Sequence, residues 1–209
     1  MKSPESEMTQ GFFIFVQICK KNRFVFCFIV TFCYLCTMIW LMRPIIWLRR
    51  VGHCRGFGIQ SPSDYWIVRY VINEHWPYYQ YEILGRDDDW LKRKLGRLYF
   101  RMANWLQPSV IESDSYQDYL QAGCQKAVFG DSHELIRLSL EKDYRSCLSY
   151  IYNKVNEESV LIVENIWRDM SFWKEIIADD RTGVSFDLYY CGIVMFDKKR
   201  QKQNYIVNF

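Results

Sequence analysis

Two pairs of oxygen-bearing side chains, three acids and one amide, stand directly behind two apolar runs. Glu141 and Asp143 follow residues 135–140 (LIRLSL), and Glu164-Asn165 follows residues 159–163 (SVLIV). If both runs are parallel strands of one sheet, both pairs lie at its carboxyl edge, where doubly wound folds bind their ligands. Carboxylate and amide oxygens gathered there suit a hard cation such as Mg²⁺. The competing reading is local, because Asp, Glu and Asn are common helix caps in strand-to-helix loops. A further acid, Glu112, ends the earlier apolar pair Val110-Ile111, and Ser113-Asp114-Ser115-Tyr116 follows it.

Other chemistries have less to work with. None of the histidines, His53, His75 and His133, stands beside a Ser or Cys in a nucleophile-like context, so a hydrolase has little support. Of the eight cysteines, Cys19, Cys27, Cys33 and Cys36 lie in the apolar N-terminal stretch, and Cys54, Cys124, Cys147 and Cys191 are far apart. Cys33 and Cys36 lack a second Cys or His pair at zinc-site spacing. All eight read as reduced thiols. A net charge of +3 on 209 residues, with basic and acidic residues interspersed, leaves no footprint for nucleic acid. The face of Lys92, Arg93, Arg97 and Arg101 reads as a solvated helix face.

The elements that must position these residues follow from periodicity. Residues 49–62 (RRVGHCRGFGIQSP) form a Gly- and Arg-rich loop ending in a helix-start signal. Residues 64–74 have helical apolar spacing, and residues 90–106 (WLKRKLGRLYFRMANWL) carry the stripe Leu91, Leu95, Leu98, Met102, Leu106 before Pro108. Strands and helices then alternate. Strands are expected at 110–111, 126–129, 135–140 and 159–163, with helices over 116–123, 144–155 and 170–178. Three β segments close the chain at 184–190, 193–196 and 205–209. This order predicts an α/β fold: a Rossmann-like, doubly wound, mostly parallel sheet with a terminal antiparallel hairpin, preceded by a helical cap over 43–108. The α/β domain proper spans 109–209.

Residues 24–42 are uncharged and, as a helix, rise about 28 Å, close to the thickness of a bilayer's hydrocarbon. Three readings of the hydrophobic segment 1–42 stay open: a membrane anchor, a translation start at Met42, and a buried core helix. The first implies a cytoplasmic domain anchored to the inner membrane by its N-terminal helix.

The order of elements resembles the class I S-adenosylmethionine-dependent methyltransferases. It is more similar to a Bacteroidetes-type group of them with an HGxHSPF-like element, a YY-Y cluster and a KLGRLLFR-like helix. The counterparts here are Gly58-Ile59-Gln60-Ser61-Pro62, Tyr78-Tyr79-Gln80-Tyr81 and Lys94-Leu95-Gly96-Arg97-Leu98-Tyr99-Phe100-Arg101. Residues 159–166 (SVLIVENI) resemble that group's SVFIFDDI, residues 187–196 (DLYYCGIVMF) its hairpin DLFxMGIVFF, and residues 204–209 (NYIVNF) its HYxIRF. The similarity runs from near Arg43 to Phe209.

The resemblance implies an acid at the end of the first strand followed by a glycine loop for the cofactor. Glu112 and Asp114 stand at those positions, but no glycine occurs before Gly123. About 50 residues separate the first strand from SVLIV, room for about two βα steps at roughly 30 residues per unit. The implied function is therefore a methyltransferase-fold protein with weak or absent S-adenosylmethionine binding, acting as a binding module toward a small molecule or protein. The alternative is an active O-methyltransferase on a small-molecule substrate. Metal-dependent O-methyltransferases hold their cation with an acid after one strand and an Asp-Asn pair after the next, which resembles Glu141, Asp143, Glu164 and Asn165.

Overall fold

The structure, a computed structural model, describes residues 42–141 and 143–209. Residues 24–41 of the membrane helix expected over 24–42, and the first four cysteines, lie outside them. No helix among the described residues is long and apolar enough to cross a membrane. The chain divides into two compact units at Arg49 and Arg50. Residues 42–49 are helical, and the second unit carries everything below.

After a short 3-10 turn at Val51–His53, the first α-helix of that unit is α1, Pro62–Ile67. Ser61 caps it by accepting the Asp64 N–H, and Pro62 supplies a preset φ at the first helical position. The helix then widens into a π turn, Val68–Ile72. The helical segment ends at Ile72, so its last carbonyls have no partner within it and must be satisfied from outside. Arg101 does so, its Nε donating to the Val71 carbonyl at 2.6 Å and its Nη2 to the Ile72 carbonyl at 2.8 Å. Arg101 is 7% exposed, so the basic face expected to be solvated is a packing face at this position.

Helix α2, Trp90–Leu106, has the bounds its periodicity indicates. Asp89 accepts the Lys92 N–H at 2.6 Å, and Gln107 closes the helix in the left-handed region ahead of Pro108. Leu95, Leu98 and Met102 are fully buried beneath it. The strands are β1, Val110–Glu112; β2, Val128–Phe129; β3, Leu135–Ser139; β4, Val160–Glu164; β5, Val184–Asp187; β6, Cys191–Met195; and β7, Gln203–Ile206. Between them run α3, Gln117–Gly123; α4, Tyr144–Lys154; and α5, Met170–Ala178.

The seven strands form one sheet in the order β2-β1-β3-β4-β6-β5-β7. All pairings are parallel except the two made by β6, with β4 and with β5. The mostly parallel α/β fold is as the alternation indicates. The antiparallel strand, however, is internal, and the closing edge is the parallel β7. Strand β5 also stops at Asp187 rather than continuing to Tyr190. Asp187 Oδ1 accepts the Tyr189 N–H, Tyr189 takes φ +72°, and the chain reverses at once into β6.

Alternation along β4 divides the interior in two. Val160 and Ile162 pack with α1, α2 and α3, and Leu161 and Val163 pack with α4 and α5. The segment expected as a cap thus shares a core with one face of the sheet. The four described cysteines, Cys54, Cys124, Cys147 and Cys191, are free thiols.

Helices α2 and α3 touch backbone to backbone. A Cβ on Gly123 would stand 2.3 Å from the Phe100 carbonyl oxygen, an atom that cannot swing aside. Gly123→Ala is therefore expected to cost on the order of 1–3 kcal/mol, the usual result of overpacking. Urea unfolding checks it, and a loss within about 0.5 kcal/mol, the range of an inert surface change, would contradict this packing.

Candidate carboxyl-edge site

The carboxyl ends of β1, β3 and β4 face the same edge of the sheet, with Ser139 beside Glu164 and Glu112 three residues back, level with Ile136. Glu164 pairs with Ser139 in the ladder and points to the α2 side, where it is 7% exposed. A buried carboxylate is costly unless paired and hydrogen-bonded. Here Arg137, on β3, supplies the pair: its Nη2 lies 2.6 Å and its Nε 2.8 Å from Glu164 Oε2. The Tyr99 hydroxyl donates to the same oxygen at 2.9 Å, and the Tyr116 hydroxyl to Oε1 at 3.4 Å. Burial and the Glu164 charge hold both phenols far above their ordinary pKa, so both remain donors. Burial works against the Arg137 charge, but Glu164 more than compensates, and the guanidinium stays ionised.

The same guanidinium reaches outward to an ion pair with Asp114. It also lies over the Tyr116 ring, 5.1 Å from the centroid, and that ring meets Tyr99 edge-on at 4.8 Å. The loop from Ser113 to Tyr116 is closed on itself, with Ser113 Oγ donating to the Ser115 carbonyl at 2.5 Å. Tyr116 takes φ +60°, the left-handed conformation for which glycine is best suited. Glu112, one strand away, is held by Lys154 of α4 and accepts the Ser132 N–H at 3.2 Å. Lys154 also meets Asp131 at 2.5 Å. On the α4 side of this bridge a cavity of about 250 Å³ remains, walled by Glu112, Arg137, Glu141, Tyr144 and Cys147.

The sequence-expected positions have separate fates. Glu112 and Asp114 do flank the loop after β1, and each already has a basic partner. Glu141 is exposed, with Arg168 at 3.6 Å. Asp143 is exposed ahead of α4 and makes no side-chain cap. Asn165 takes φ +62°, a conformation Asn tolerates, while its N–H donates to the Tyr190 carbonyl at 2.7 Å. Among the described residues no three His, Cys, Asp or Glu side chains are grouped to hold a metal ion. The cation expected at Glu141, Asp143, Glu164 and Asn165 thus meets an edge where Glu164 already faces a guanidinium. Side-chain caps fall elsewhere, Asp89 capping α2 and Asp169 capping α5.

Sequence reasoning gave Arg137, Tyr99 and Lys154 no role at this edge, and took Tyr116 only as part of the loop after Glu112. One signal pointed at the first: an arginine in the middle of the apolar strand LIRLS needs a buried acid nearby. Comparisons with protein-family models, with curated proteins and with solved structures find no match to the chain.

Proposed function

We propose that this chain is a methyltransferase-like α/β module that binds a small molecule or protein partner rather than turning over S-adenosylmethionine. The observation that carries the reading is the bridge Asp114–Arg137–Glu164, which crosses the carboxyl edge where a cofactor would enter. S-adenosylmethionine is a sulfonium cation, and here it would meet a fixed guanidinium. The acids that would attract it are already neutralised, Glu164 by Arg137 and Glu112 by Lys154. The loop after β1 offers side chains and a left-handed tyrosine where close approach to a cofactor favours glycine. The cavity of about 250 Å³ falls below the usual range for a drug-sized ligand, about 300–1,000 Å³. The residues present do not fit the cofactor, nor do they fit Mg²⁺. Support for the methyltransferase-like part of the reading comes from the mostly parallel sheet with β6 reversed and from the sequence elements that resemble the family. Anchorage at the inner membrane by residues 24–42 belongs to the same proposal and rests on their uncharged run alone.

Calorimetric titration of the full chain in detergent with S-adenosylmethionine and S-adenosylhomocysteine tests the proposal. No saturable binding is expected below the millimolar range. A micromolar dissociation constant for either compound would overturn it and restore the active O-methyltransferase.

A further inference from the structure

A second and larger cavity, of about 840 Å³, lies between residues 72–82 and α2, with Phe209 at one end. Its chemistry differs from that of the carboxyl edge. Lys94 Nζ sits between two rings, 4.9 Å from the Trp90 centroid and 4.5 Å from that of Phe209. The Arg97 guanidinium lies over Tyr81 at 4.7 Å, and its Nε is buried without a hydrogen-bond partner. Asn73, 8% exposed, lines the same cavity, and its Nδ2 is also without a partner. Among the described residues neither Lys94 nor Arg97 has a carboxylate within ion-pair distance. The cavity's other arginines are spent, Arg93 on the carbonyls of Gly85, Arg86 and Asp88 and Arg101 on those of Val71 and Ile72. Two acids stand near: Glu74 accepts the Tyr78 hydroxyl at 2.8 Å, and Glu82 is exposed at the rim.

Arg97 Nε and Asn73 Nδ2 are thus buried donors without a partner, and Lys94 adds a second cation with no carboxylate beside it. A buried donor left unpaired is expensive, so the missing partner is an acceptor with negative charge. Large aromatic faces stand unused beside them: Trp76 is 71% and Tyr79 90% exposed. The volume lies within the range of small-molecule sites and is far more than a lone phosphate or carboxylate fills. We propose that this cavity is a binding site for a small organic oxyanion carrying a flat ring, of the aryl phosphate or aryl carboxylate kind. The oxyanion takes Lys94, Arg97 and Asn73, and the ring takes the aromatic rim. Burial lowers the Lys94 pKa to about 8, so an anion also offsets the cost of keeping this ammonium charged. The proposal is independent of the reading of the carboxyl edge.

The test is calorimetric titration of the full chain in detergent with 1-naphthyl phosphate, 1-naphthoate, 1-naphthol and inorganic phosphate. At least one naphthyl anion is expected to saturate in the micromolar range, and naphthol and phosphate each to bind at least about tenfold more weakly, since each lacks one of the two contacts. Which of the two naphthyl anions is tighter distinguishes a phosphate from a carboxylate ligand. Arg97→Met is expected to weaken the tighter anion by about tenfold or more, the loss of a charge-assisted contact, and Glu82→Gln to leave it unchanged or tighter. Should Arg97→Met fail to fold, protection of Lys94 in the unaltered chain decides: the bound anion is expected to slow its acylation at pH 8, read by mass spectrometry. No saturation by either naphthyl anion below the millimolar range, binding of inorganic phosphate as tight as that of the aryl anion, or unslowed acylation of Lys94 would overturn the proposal.

Discussion

Arg137→Met is expected to lower the stability of the fold by about 3–5 kcal/mol, the cost of stripping one partner from a buried ion pair. The side chains of Arg137 and Glu164 are 6% and 9% exposed, so water cannot replace the lost guanidinium. Tyr99 and Tyr116 would still donate to Glu164, but hydroxyl donors do not cancel a charge. Methionine matches the aliphatic length of the arginine, which keeps the loss electrostatic rather than a matter of volume. The double variant Arg137→Met, Glu164→Gln removes both charges and is expected to recover most of the loss, because exchanging a buried pair for neutral groups is far cheaper than breaking it. Urea unfolding of the three proteins reads both effects. A single variant as stable as the original would mean that Glu164 reaches water by a route absent from this structure.

Lys94→Met is expected to act in the opposite direction. Burial, with the nearby Arg101 charge adding to it, lowers the Lys94 pKa from 10.5 to about 8. Below pH 8 the lysine is charged in both the folded and unfolded chains, and the folded chain carries the whole desolvation cost. Between pH 8 and 10.5 the unfolded chain holds the extra proton, so stability contributed by this residue rises with pH. Above 10.5 it is neutral in both, and the cost is gone. At pH 7 the cost is up to roughly 3 kcal/mol, since one unit corresponds to about 1.4 kcal/mol. The variant should therefore melt higher than the original chain at pH 7. The gap should narrow from pH 8 upward and close above 10.5. Melting curves of both proteins across that range read the sign directly, and a gap that widens with pH would refute the assignment. A lysine that weakens the fold at neutral pH is the kind of residue that stability alone would not retain.

What the sequence made legible was decided by local pattern. Helix α2 could be bounded because an unbroken apolar stripe runs up to Pro108, and α5 because its apolar spacing is regular; the caps Asp89 and Asp169 that start them came only with the structure. β4 was plain as a buried central strand because every residue in it is apolar until Glu164. The errors came where a long-range partner overrode a local rule. Arg101 belongs to a basic stripe in the sequence, but the π turn more than 25 residues earlier draws it inward. The acids after β3 and β4 looked like a set because they share a sheet edge. Strand order says nothing of Arg137, whose side chain reaches Glu164 first. The reversal at Tyr189 depends on an Asp187 side chain bonding two residues ahead, a detail that apolar spacing does not encode. The Lys94 cavity was hidden for the same reason, since Trp90, Asn73 and Phe209 are scattered in the chain and meet only in the fold.

The placement of β6 between β4 and β5 also orders the assembly of the sheet. Strands β4 and β5 never pair with each other; each presents its inner edge to a strand made later than both. Until residues 191–195 dock, the apolar strand β4 and the β5 edge that faces it keep amides and carbonyls unpaired. Such edges recruit other chains. A chain whose residues 191–195 are slow to dock, or are kept from docking by a substitution there, is therefore the natural client of a chaperone.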